Sequence, residues 1–158
     1  MNFNTLKKFL KKDTLILGIG NTLRGDDGFG SLLTQRLNKK IGPLAIDAGS
    51  SPENFLGKIV KRNPAAILIV DAVDFGGSPG ELKIFLPCQL QTSNFFSTHN
   101  ASVNLLIKFL QENLSADIMC LAAQPKDINF GEGLSPELAL SLEKLESFIV
   151  KELADAGK

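Results

Sequence analysis

Ile67-Leu68-Ile69-Val70 runs four aliphatic residues without a polar break and closes on Asp71. A strand with one face in water alternates, so an unbroken apolar run bounded by turn chemistry is a strand buried on both faces. Residues 14–19 (TLILGI) form a second such run, ending in Gly20. Between them the period lengthens. Phe29, Leu32, Leu33 and Leu37 stripe one side of a helix over residues 27–40. Phe55, Leu56, Ile59 and Val60 do the same for a helix opened by Ser51-Pro52-Glu53, which offers an N-cap, a proline at the first helical position and an acid in the first turn. Residues 44–46 make the intervening strand and end at Asp47-Ala48-Gly49-Ser50. Strand, helix, strand, helix, strand in this order builds a parallel sheet covered on both sides.

The pattern changes after Asp71. Only residues 72–80, rich in glycine, separate the third strand from residues 81–86, too few for the helical crossover that a parallel partner needs. The fourth strand is therefore expected to run antiparallel, as a hairpin partner. The polar residues 89–98 then cross back and deliver His99, the one histidine of the chain, to the edge where Asp71 sits. A helix over 100–111, a strand over 117–122 and a last helix opened by Ser135-Pro136-Glu137 complete the chain. The expected fold is α/β: a three-layer α/β/α sandwich with a twisted, mostly parallel five-stranded sheet, one strand antiparallel. It forms a single domain over 1–158, with residues 1–13 as an N-terminal extension in which Leu6, Phe9 and Leu10 mark a short helix.

Lys plus Arg and Asp plus Glu balance at 17 each, so charge supplies no case for a nucleic-acid or anionic-membrane partner. No apolar run approaches membrane-spanning length and the N-terminus lacks a secretory signal, which points to the cytoplasm. Cys88 and Cys120 lie beside apolar residues without CxxC spacing and read as buried thiols of a reducing compartment.

Open α/β sheets bind ligands beyond the carboxyl ends of their strands, where chain order reverses. With strand order 2-1-3, the loops after strands one and three bring Asp27 and Asp71 there, and His99 completes a set of oxygen and nitrogen donors for a borderline or hard dication. A position before a helix keeps the imidazole neutral, as a ligand must be. Capping by Asp26 or Asp27, a turn at Asp71 and a surface His99 are the ordinary alternatives, and spacing alone leaves them open. Gly18-Ile19-Gly20-Asn21-Thr22-Leu23 resembles a dinucleotide fingerprint with Asp47 as the ribose acid. However, Leu23 replaces the third glycine and the acids after it repel phosphate. No G-x-S-x-G elbow supports a serine nucleophile.

The segments GIGNTLRGDDGFG, DAGSSPEN, ILIVDAVDFGGSPGE, STHN and LAAQP closely resemble the maturation endopeptidases of nickel–iron hydrogenases, most nearly the branch serving the hydrogenase of the formate-hydrogenlyase (hydrogenase-3) type. The resemblance runs from about Leu15 into the last helix. It implies a cytoplasmic aspartyl-type hydrolase that removes a C-terminal extension from the precursor of the hydrogenase large subunit after nickel insertion. Carried over by position, the metal contacts are Asp27, Asp71 and His99, with Asp27 and Asp71 catalytic, and Asp47, Gly49 and Ser50 lie in a substrate-recognition turn. The implied nickel is supplied by the precursor, and the protease can be metal-free as isolated. Gly25, Gly28 and Gly30 are expected to let an extended peptide approach. The competing reading is a non-enzymatic, Rossmann-like protein that binds a nucleotide or a nickel-carrying partner.

Overall fold

The computed structural model describes residues 3–92 and 99–157. Five strands, β1 (Thr14–Gly18), β2 (Ala45–Asp47), β3 (Ala66–Ala72), β4 (Leu82–Phe85) and β5 (Asp117–Ala123), form one sheet in the order β2-β1-β3-β5-β4. The first four of that order run parallel, and β4 runs antiparallel to β5. β4 is thus antiparallel as expected, but it is not a hairpin partner of β3. β5 enters between them, Asp71 pairing with Ala122 and Lys83 with the other edge of Ala122. The loop after β3 instead bends away, held by Gln124: its Oε1 accepts from Phe75 N (2.9 Å) and Gly77 N (3.0 Å).

The helices are α1 (Asn4–Phe9), α2 (Phe29–Ile41), α3 (Leu56–Arg62), α4 (Pro87–Thr92), α5 (Asn100–Asn113) and α6 (Pro136–Ala156). On one face of the sheet, Phe29, Leu33 and Leu37 of α2 and Leu138, Leu142, Leu145 and Ile149 of α6 pack on Ile16, Leu68, Val70 and Leu121, with Leu6 of α1 beneath them. On the other, Ile59 of α3 and Val103, Leu106, Ile107 and Leu110 of α5 pack on Leu15, Leu17, Ile67 and Ile69. Successive strand residues face opposite layers, which is why both faces of β1 and β3 are apolar.

Helix α2 lies so close to the sheet that a Cβ on Gly18 would overlap the Gly30 carbonyl, and one on Gly30 would overlap the carbonyls of Val70 and Ile19. A Cβ on Gly28 would come within 2.9 Å of Thr22 Cα, and one on Gly25 within 2.7 Å of the Asp127 carbonyl. Gly25, Gly28 and Gly30 therefore serve the chain's own close contacts. The expectation that they open space for a bound peptide is corrected.

Three local expectations also change. Residues 25–28 form a 3-10 turn before α2, and neither it nor α2 has a side-chain cap, so Asp26 and Asp27 are not helix caps. Residues 87–92 are helical rather than a returning polar strand, and the expected crossing over 93–98 lies outside the described residues. Cys88 is exposed and Cys120 buried, because Cys88 sits in the exposed first turn of α4 whereas Cys120 points into the α5 layer.

Candidate active site

Asp27 and His99 reach the carboxyl end of the sheet from two connections, whereas Asp71, expected in the loop after the third strand, lies inside the last residues of β3 and pairs with Ala122. Asp71 continues the Ile67, Ile69 side of β3, since side chains two apart share a face, so it emerges on the α5 layer. His99 is the residue immediately before α5, and Val103 N donates to its carbonyl at 2.9 Å. Asp27 follows β1 on the 3-10 turn. All three are buried: Asp27 is 2%, Asp71 5% and His99 8% exposed.

His99 Nε2 lies 3.3 Å from Asp27 Oδ2. The same oxygen accepts from Asn21 N at 3.2 Å, and the Asp27 carbonyl accepts from that N–H at 3.2 Å, so the loop folds back on its own acid. Burial works to lower the His99 pKa. The hydrogen bond to the Asp27 carboxylate and the charges of Asp71 and Asp27 outweigh it, Arg24 opposes them weakly, and the net value is raised above the ordinary 6.5. The helix terminus is expected to hold the ring's pKa down; the net shift is instead upward, because two carboxylates lie at close range. Asp71 acts on His99 through its field. Among the described residues, no three His, Cys, Asp or Glu side chains stand grouped as a ready-made metal cage. Asp27 and His99 are joined directly, and Asp71 is their electrostatic neighbour.

Asp26 is expected from the sequence to hold this loop by capping; it does hold it, but through the distant 126–135 segment, which sequence reasoning missed. Asp26, fully buried, accepts four hydrogen bonds: from Lys126 N (2.8 Å), Asp127 N (3.0 Å), Ser135 N (2.7 Å) and Ser135 Oγ (2.9 Å). Its own N–H donates to the Asp127 carbonyl at 2.9 Å, and Gly25 N to the Gly131 carbonyl at 2.7 Å. Gly25 has φ +51°, a left-handed conformation that glycine adopts without strain. Ser135 was legible as a helix N-cap, yet it makes no side-chain cap bond and spends its hydroxyl on Asp26.

Asp47 closes the neighbouring strand β2. Its Oδ1 accepts from Gly49 N (2.9 Å) and its Oδ2 from Gln35 Nε2 (2.7 Å), while Gly20 N donates to the Gly49 carbonyl at 2.9 Å. The Asp47–Ser50 turn is thereby fastened one strand over from Asp27, with Ser50 exposed at its tip. A Cβ on Gly20 would overlap the Asp27 carbonyl, so the glycine of the dinucleotide-like string makes room for the acid loop.

Comparison with known proteins decides the family. The model for hydrogenase maturation proteases of the HycI type matches residues 30–152, a span that holds Asp71 and His99 and begins just after Asp27. The chain belongs to the hydrogenase maturation protease family. It is 37% identical over 118 residues to hydrogenase 3 maturation protease of Escherichia coli K12, covering 73% of this chain and 75% of that one. It is 31% identical over 150 residues to a putative hydrogenase maturation protease of Methanocaldococcus jannaschii, covering 89% and 88%. The crystal structure of a [NiFe] hydrogenase maturation protease HycI from Thermococcus kodakarensis KOD1 superposes with a TM-score of 0.85 at 32% identity, over 96% of this chain and 99% of the other. This hydrogenase maturation protease is therefore a peptidase-family hydrolase with the fold of its relatives. No helix among the described residues is long and apolar enough to cross a membrane.

Proposed function

We propose that this protease removes the C-terminal extension of a nickel–iron hydrogenase large-subunit precursor after nickel insertion, and that Asp27, Asp71 and His99 engage the nickel carried by that substrate. The observation that carries the reading is the buried Asp27–His99 contact beside Asp71, at the carboxyl end of the sheet of a maturation protease. Carboxylate and imidazole donors suit a borderline dication, and so small a set leaves positions for the ligands the metal brings with it. Nickel here is part of the substrate. Nickel takes the ring nitrogen in its unprotonated form, so a proton and the metal compete for His99.

Hydrolysis then follows ordinary acid–base chemistry. Water adds to the scissile carbonyl while Asp71 or Asp27 takes its proton, the C–N bond breaks, and the leaving amine recovers the proton. Asp26 keeps the Asp27 loop in register with the 126–135 segment while this happens. Asp47, Gly49 and Ser50, fastened beside that loop, receive the extension. The precursor itself is the required partner, and the cytoplasm is the site of action.

The test is processing of nickel-loaded and nickel-free precursor, read by mass of the large subunit. Wild type cuts the loaded form alone. Asp71→Asn loses about 100-fold or more of the rate, the usual range for a lost general base, and His99→Ala falls as far through loss of the nickel contact. Equal cutting of the nickel-free form removes nickel recognition from the account, and full activity in both variants removes the site.

A further inference from the structure

A groove of about 750 Å³ runs beside β2, walled by Gln35, Asn38 and Lys39 of α2 on one side and by Phe55 and Lys58 on the other, with Asp47 at one end. We infer that the extension of the precursor lies in this groove as an extended peptide, pairing with the open edge of β2 at Asp47 and held by Lys39 and Lys58. This rests on the endopeptidase reading and names the seat of its substrate.

The sheet order makes β2 an edge strand. In a parallel ladder, alternate residues point their main-chain groups at the partner. Ala48 N donates to the Gly18 carbonyl at 2.8 Å, so residues 46 and 48 address β1 and residues 45 and 47 address the groove. Ala45 is already engaged: its N–H bonds the Gly42 carbonyl, and its own carbonyl accepts from Asn38 Nδ2 at 3.1 Å. The N–H and C=O of Asp47 therefore form the seat for an added strand, a recognition mode in which main-chain bonds supply affinity. The Asp47 carboxylate is already engaged by Gln35 and by Gly49 N, which fixes that seat.

Charge selects the occupant. Lys39 and Lys58 are both exposed, and neither forms an ion pair among the described residues. An extended segment that ends in a free carboxylate complements them, which the C-terminal extension of a precursor does by definition. The Asp47 end of the groove lies on the active-site side of the sheet, since Asp47 closes β2 at the carboxyl edge, its turn is bonded to Gly20, and Asp27 follows the neighbouring β1, about 4.8 Å away in strand spacing.

The measurement is steady-state processing of nickel-loaded precursor by wild type and by Lys39→Glu/Lys58→Glu, together with photo-crosslinking from benzoylphenylalanine placed at position 58. The double variant raises KM about tenfold with little change in kcat, and crosslinks map to the extension by mass spectrometry. If wild type cuts and the variant's KM does not move, or the crosslinks fall on the folded body of the precursor, the groove assignment is wrong and the protease reading stands. Inhibition by a free dinucleotide that Lys39→Glu/Lys58→Glu relieves, without crosslinks to the extension, reassigns the groove to a small anion. Failure of wild type to cut the loaded precursor overturns both.

Discussion

Two neighbouring aspartates in the Gly25-Asp26-Asp27-Gly28 string do opposite work. Asp27 faces His99, whereas Asp26 faces away and is consumed by three backbone N–H groups and the Ser135 hydroxyl. Asp26→Ala leaves those buried donors without an acceptor and should cost about 3 kcal/mol or more, read as a drop in the denaturant midpoint, with the Asp27 loop losing its protection from hydrogen exchange. A midpoint unchanged from wild type contradicts the clamp. His99 carries a pH signature. Its folded pKa is raised, so the stabilisation from the charged pair with Asp27 is fully present below the unfolded value near 6.5 and is lost as pH rises through the higher folded value. Nickel engagement has the opposite slope, because a proton and a metal compete for the same nitrogen. Processing should therefore fall as pH drops through that raised value, while His99→Asn flattens the pH dependence of stability. A rate independent of pH from about 6 to about 8, the window a histidine titrates in, would remove His99 from the reaction.

At the scale of elements, the sequence was most legible where one period held over several residues. The buried runs of β1 and β3, the stripe of α2 and the stripe of α6 were plain because apolar spacing encodes burial directly. Antiparallel β4 followed from a short connection, but its partner did not: pairing with β5 rather than β3 depends on a strand more than 30 residues further on. Asp71 and His99 were legible as polar residues at element ends. The Asp26 clamp and the Gln124 staple were not, since each joins segments more than 45 residues apart and leaves no local pattern. Packing of α2 on the sheet yields a sharp expectation. Gly30→Ala places a methyl against the Val70 and Ile19 carbonyls, which cannot withdraw without parting β1 from β3. Overpacking of this kind costs about 3 kcal/mol or more, and native thermal stability in the Gly30→Ala variant would show that α2 has room to move.

At the scale of the whole molecule, a rigid scaffold carries a divided site. Two apolar layers fix the sheet, and the end of β3, the turn after β1 and the start of α5 bring two acids and one imidazole to the same end. The groove beside β2 reaches Asp47, the residue that closes β2 at that same carboxyl edge. Such a layout suits a protease whose substrate supplies the metal, because recognition of the ion and of the extension then occur on adjacent loops. Nickel K-edge absorption of the loaded precursor tests this most directly, measured alone and after mixing with equimolar wild type or His99→Ala protease and freezing before turnover. The account predicts that wild type adds oxygen and nitrogen scatterers to the nickel shell and that His99→Ala removes the nitrogen contribution. A nickel spectrum unchanged by the wild-type protease would contradict it.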